Sequence, residues 1–152
     1  MRIVCAKKKN ETKAQFIGAV QRVGCNASIP VDNLSRGGMA ISINSDTGEL
    51  GYGRIERGES EIVGRPLSEH PDTQSKFYGR KVPNWDKIVA ELLELTNKLP
   101  YLNFVAWDIL LTDEGMCVIE GNASSGVGLF QMESGIRNSE FGEVLKSYNI
   151  IS

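Results

Sequence analysis

The sequence predicts an α+β domain: an antiparallel β-sheet with two main helices packed on one face. Three observations carry this. Short runs rich in Val, Ile, Phe and Trp recur through the chain, separated by clusters of Gly, Asn, Asp and Ser. Two later stretches change to helical spacing of apolar residues. The chain has 152 residues, 41% hydrophobic and 24% charged, which suits one globular domain.

Arg2 to Ala6 reads as a first strand, cut off abruptly at Met1, which implies something separated upstream. Lys7 to Lys13 reads as a charged turn. Gln15 to Val23 alternates well enough for a strand paired with the first, with Arg22 near its end. A polar loop runs from Cys25 through Gly38. Met39 to Asn44 and Leu50 to Ile55 are further strands around a Ser45–Gly48 turn, completing an antiparallel meander. Residues 57–79 are polar and poorly periodic. They read as a long surface loop with room for one short strand, and loops of that length are usually functional or mobile.

Asn84 then caps a helix, with Asp86 in its first turn, where the helix dipole favours an acid. Ile88, Leu92, Leu95 and Leu99 form its apolar stripe, widened by Trp85, Val89 and Leu93, and Pro100 ends it. Residues 127–134 follow no clear pattern. Asn138 caps a last helix whose buried face is Phe141, Val144, Leu145 and Tyr148.

Composition excludes several classes of function. A net charge of -2 gives no reason to expect a nucleic-acid or membrane-surface partner. No apolar run approaches a membrane-spanning length, and the amino terminus has its apolar and basic residues in the wrong order for a signal peptide. Cys5, Cys25 and Cys117 are odd in number and share no metal-like spacing, so they read as reduced thiols of a cytoplasmic protein. His70 stands alone, which removes a histidine metal cluster and a Ser-His-Asp triad.

The most informative stretch is Val105 to Gly126. Strands over Phe104–Thr112 and Met116–Gly121 are joined by Asp113-Glu114-Gly115, read as a three-residue hairpin loop with its glycine left-handed. That loop would set Thr112 opposite Met116, hence Asp108 opposite Glu120 and Ala106 opposite Asn122. Opposed residues share a face, so one face carries Asp108, Glu120 and Asn122 around a small Ala106, while Val105, Trp107, Ile109 and Leu111 fill the core face. Two opposed carboxylates weaken a sheet unless something offsets them. A hard divalent cation would, and magnesium takes one or two carboxylates plus nucleotide phosphates. The same residues also fit a solvated acidic edge with Asn122 in a turn.

Asn33-Leu34-Ser35-Arg36-Gly37-Gly38 joins two strands. Gly37 and Gly38 allow backbone N–H groups close to an anion, and Arg2, Arg22 and Arg36 can grip phosphate or carboxylate in bidentate fashion. A plain glycine turn with solvated arginines fits these residues as well. His70-Pro71-Asp72-Thr73 reads as a turn.

Together these motifs resemble one family. Ala106-Trp107-Asp108, with Glu120-Gly121-Asn122-Ala123-Ser124-Ser125-Gly126 downstream, resembles the carboxy-terminal subdomain of ATP-grasp ligases. The order Arg2, Arg22, then Asn33 to Gly38 is similar to ribosomal-modification glutamate ligases and glutathione synthetases. His70-Pro71-Asp72-Thr73 and Val82-Pro83-Asn84-Trp85 look closest to the sugar-transfer-associated ATP-grasp proteins, linked to capsule or surface polysaccharide assembly. Ala106 departs from the D-alanine ligase type, which carries an arginine there.

The resemblance implies ATP and Mg2+ (or Mn2+) as cofactors. Asp108, Glu120 and Asn122 would be the metal ligands, and Arg22 and Arg2 the catalytic cations. Asn33, Arg36, Gly37, Gly38, Ser124 and Ser125 would meet phosphate or substrate. It further implies a carboxylate-bearing small molecule or sugar conjugate as substrate. The family's amino-terminal half, with its phosphate-binding lysines and glycine-rich lid, has no counterpart in these residues and is the expected partner.

Overall fold

The computed structural model describes residues 1–31, 34–56, 63–131 and 134–152. Its elements are β1 (Arg2–Ala6), β2 (Gln15–Val23), β3 (Met39–Ile43), β4 (Leu50–Ile55), α1 (Trp85–Asn97), β5 (Phe104–Thr112), β6 (Gly115–Asn122) and α2 (Glu140–Ser147). The strands form one six-stranded antiparallel sheet in the order β4-β3-β2-β1-β5-β6. The α+β class with an antiparallel sheet and two main helices is therefore what the chain adopts. By contact density the chain divides into two units, Met1–Ala19 with Asn84–Ser152, and Val20–Pro83.

In the first unit, β1 and β5 pair with Arg2 opposite Asp108, Ile3 opposite Trp107, Cys5 opposite Val105 and Ala6 opposite Phe104. Alternation sends Ile3, Cys5, Val105 and Trp107 to one face, and α1 covers it. Trp85, Ile88, Leu92 and Thr96 form the buried stripe of α1. The Trp107 indole N–H donates to Thr96 Oγ1 at 2.9 Å, and the Thr96 hydroxyl donates to the Leu92 carbonyl at 2.7 Å. A buried indole N–H is thereby satisfied, as the interior requires. On the other face, Phe141 and Val144 of α2 pack against Ala6, and the Phe104 and Phe141 rings lie 5.8 Å apart. The helices thus take one face each rather than sharing one.

The local capping differs from expectation. Asn84 precedes α1 in a left-handed conformation, φ 55°, and its side chain caps nothing. Ser139, not Asn138, caps α2: its hydroxyl oxygen accepts from the Gly142 N–H. Lys7 is not part of a solvated charged turn. It is only 2% exposed, and its Nζ donates to the Leu99 carbonyl at 3.0 Å. That places a cation just past the carboxy-terminal end of α1, where the unpaired carbonyls of the helix favour positive charge.

In the second unit, β3 pairs with both β2 and β4. Cys25, Met39, Ile41, Ile55 and Phe77 make its core. Part of the segment expected to be a loose loop falls on residues 57–62, outside the described residues. The remainder docks on β4: Gly53 and Leu67 exchange two backbone hydrogen bonds of 2.8 and 2.9 Å, Glu69 bridges Lys76, and Phe77 enters the core. Among the described residues, no helix is long and apolar enough to cross a membrane.

Candidate metal and phosphate site

The β5–β6 hairpin places the carboxylates together, but by a different route from the one the sequence suggests. Thr112 pairs with Gly115, so the connection is the two-residue Asp113-Glu114 turn. Gly115, at φ +132°, takes the backbone conformation that a side chain would resist. Continued without interruption, that register would set Ile119 opposite Asp108 and send Glu120 to the core face. A bulge intervenes: Ile109 pairs with Val118, whereas Asp108 pairs with Glu120. The extra residue, Ile119, is 65% exposed. Because a bulge shifts the side-chain alternation by one, Glu120 returns to the face of Asp108, and Asn122 falls opposite Ala106.

Pairing on both sides of β5 builds two rows. Arg2, Asp108 and Glu120 form the first across β1, β5 and β6; Val4, Ala106 and Asn122 form the second. Gly121, between Glu120 and Asn122, pairs with Trp107, and a Cβ there would stand 2.7 Å from the indole Cζ3. The glycine lets the tryptophan ring lie under the strand that carries the site.

Asp108 is nearly buried, and Arg2 holds it in bidentate fashion: Nε donates to Oδ1 at 2.8 Å and Nη2 to Oδ2 at 2.7 Å. Arg2 Nη1 also donates to Ser125 Oγ at 3.2 Å. Such forked, charge-assisted bonds are strong and directional. Much of the repulsion between the opposed carboxylates is therefore offset by a guanidinium, a role the sequence suggested for a divalent metal ion. Glu120 is exposed and accepts from Asn122 Nδ2 at 3.0 Å. The row carries one positive and two negative side chains.

This donor set fits magnesium. Every candidate ligand can offer an oxygen, and the three residues share one face. The small residual negative charge suits an ion that arrives with phosphate oxygens rather than one caged by protein alone.

The remaining expected residues lie as follows. Ser125 joins the Arg2 cluster, and Ser124 is exposed beside it in sequence. Arg22 lies on β2, paired with Ala40. Arg36 ends a short 3-10 turn, Leu34–Arg36, and is exposed. Gly37 is left-handed, φ 89°, and its N–H bonds to the Leu34 carbonyl at 3.0 Å, closing that turn. Gly38 is buried, and Asn33 lies outside the described residues. The structure therefore brings together Arg2, Asp108, Glu120, Asn122 and Ser125. Arg22, Arg36, Gly37 and Gly38 belong to the second unit.

A family model described as sugar-transfer associated ATP-grasp matches residues 1–143. The chain belongs to this ATP-grasp family. Membership marks it as a nucleotide-binding, ligase-type domain related to sugar transfer. No curated protein and no solved structure matches it.

Proposed function

We propose that this chain forms part of an ATP-dependent ligase that joins a carboxylate to an amine or related nucleophile through an acylphosphate. Its cytoplasmic substrate would be a small carboxylate or sugar conjugate used in surface polysaccharide assembly. The observation that carries the reading is the Asp108–Glu120 pair on one sheet face, with Asn122 beside it, in a chain of this family. Asp108, Glu120 and Asn122 hold magnesium, or manganese in its place. When bound, the metal neutralises phosphate charge during transfer.

The protein residues position and balance charge. Arg2 aims Asp108 by its two hydrogen bonds and presents positive charge to an incoming anion. Arg22 stabilises the transferring phosphoryl group. Asn33, Arg36 and the backbone at Gly37 and Gly38 contact phosphate or the acyl substrate, and Ser124 and Ser125 face the acceptor. The adenine and inner phosphates are bound by the family's amino-terminal half, in cis or on another chain. One observation favours a second reading, a binding domain without catalysis: both oxygens of Asp108 are already engaged by Arg2.

The test is a ligation assay on this chain together with that amino-terminal half. Carboxylate-dependent ADP release that disappears in Glu120→Gln supports the ligase. Nucleotide binding without turnover, in wild type and variant alike, leaves the binding domain as the answer.

A further inference from the structure

We propose a second metal site, for a zinc-class divalent transition ion, formed by Cys25, His70 and Asp72 in the second unit. One donor atom from each of these residues lies within 4.8 Å of the others. They line an open pocket of about 570 Å3 together with Gly24, Asn26 and Thr73. In sequence His70-Pro71-Asp72-Thr73 reads as a turn, and nothing there ties it to Cys25. Cys25 has no cysteine partner at metal spacing, His70 is the only histidine, and Cys25 lies more than forty residues before the other two ligands.

The ligands are already oriented, and by the two neighbours of Cys25. The Gly24 carbonyl, an acceptor only, takes His70 Nε2 at 2.9 Å, so Nε2 carries the proton. Nδ1 is then the lone pair, as its two long contacts from the Asp72 and Thr73 N–H groups, at 3.2 and 3.3 Å, also require. Nδ1 faces Asp72 Oδ2 at 3.9 Å. On the other side of Cys25, the Asn26 N–H donates to Asp72 Oδ2 at 2.8 Å. A metal-bound histidine almost always donates its second N–H to a carbonyl or carboxylate, and ligating carboxylates are themselves hydrogen-bonded. This cluster has both features.

The distances are close to those needed. Tetrahedral zinc with ordinary bond lengths sets its ligand atoms roughly 3.4–3.7 Å apart. Nδ1 and Oδ2 at 3.9 Å are nearly there, and a small side-chain rotation closes the rest. The ion takes the Nδ1 lone pair from the two long backbone contacts, which are the weakest bonds in the cluster.

The donor types decide the ligand class. Thiol, imidazole and carboxylate together suit zinc and its neighbours, whereas magnesium and calcium avoid sulfur. Three protein ligands leave a fourth position open to the pocket, as in zinc sites that bind water or substrate. A nucleophilic Cys-His pair is the competing chemistry, and electrostatics oppose it. Burial pushes the Cys25 thiol up, and the Asp72 carboxylate pushes it further, the reverse of what an activated thiolate needs. A dication reverses both effects, since a coordinated thiol is deprotonated outright.

The experiment is a Co2+ titration of the full 152-residue chain, followed by Zn2+ competition. The expected result is a near-ultraviolet thiolate-to-cobalt charge-transfer band at one equivalent, displaced by zinc. Cys117→Ser, which changes the exposed cysteine, retains the band. His70→Ala and Asp72→Asn weaken cobalt binding at least about tenfold, and Cys25→Ser abolishes the band. Should Cys25→Ser unfold the chain, the two polar-ligand variants still decide. A folded wild type without the band overturns the proposal, as does a band lost in Cys117→Ser or unchanged in both His70→Ala and Asp72→Asn. The thiolate band reports sulfur ligation alone, so this result stands apart from that of the ATP-grasp site, whose expected ligands are all oxygens.

Discussion

Gly121 lies between Glu120 and Asn122 and faces the Trp107 ring. A methyl group there would meet Cζ3 at 2.7 Å and Cε3 at 3.1 Å. The indole is pinned through its N–H to Thr96, so it cannot swing aside cheaply. Gly121→Ala is expected to destabilise the chain by about 1–3 kcal/mol, seen as a lower urea midpoint with an unchanged slope. An unaltered midpoint would show that the ring yields. Cys5 gives a pH prediction at the same scale. Burial pushes its thiol from 9.0 to about 11. Between those values the unfolded chain has released the proton and the folded chain has not. Stability from Cys5 is therefore full below pH 9 and falls as pH rises toward about 11. The loss is on the order of 3 kcal/mol. Denaturation at pH 8 and pH 10.5 should show a smaller alkaline drop in Cys5→Ala than in wild type; equal drops would contradict the assignment.

At the scale of elements, one hydroxyl joins α1 to β5. Thr96 accepts from Trp107 and donates to Leu92 inside the core. Thr96→Val keeps the shape but leaves a buried indole N–H without an acceptor, at a cost of about 1–3 kcal/mol. Thr96→Ser should recover most of it, and a thermal melt that ranks valine equal to wild type would refute this. Strand and helix positions were legible because they depend on local patterns: alternation in β1 and β5, helical spacing in α1. The row Arg2–Asp108–Glu120 was only half legible. Asp108 and Glu120 lie on one hairpin, whereas Arg2 reaches Asp108 through the pairing of β1 with β5, a contact between residues over a hundred positions apart. The correct opposition of Asp108 and Glu120 was inferred from a three-residue loop; a two-residue turn and a bulge at Ile119 gave the same pairing. Bulges leave no fixed residue signature, so only coordinates distinguish the two routes. Lys7 was misread for a related reason: a lysine in a charged run is normally solvated, and nothing local reveals the end of α1 waiting above it.

For the whole molecule, the proposed need for the family's amino-terminal half predicts that the 152-residue chain with magnesium and ATP alone gives no turnover. Glu120-dependent hydrolysis by the chain alone, measured as phosphate release, would contradict that. The central claim is more specific: Asp108, Glu120 and Asn122 form a magnesium site whose charge Arg2 balances. Magnesium titration followed by backbone amide NMR tests it most directly, since magnesium ignores the thiol-bearing cluster. The account predicts saturable shifts confined to residues around Asp108, Glu120 and Ser125, with a Kd roughly in the millimolar range expected of few protein ligands, and their loss in Glu120→Gln. Shifts absent from wild type, or identical in Glu120→Gln, would contradict it.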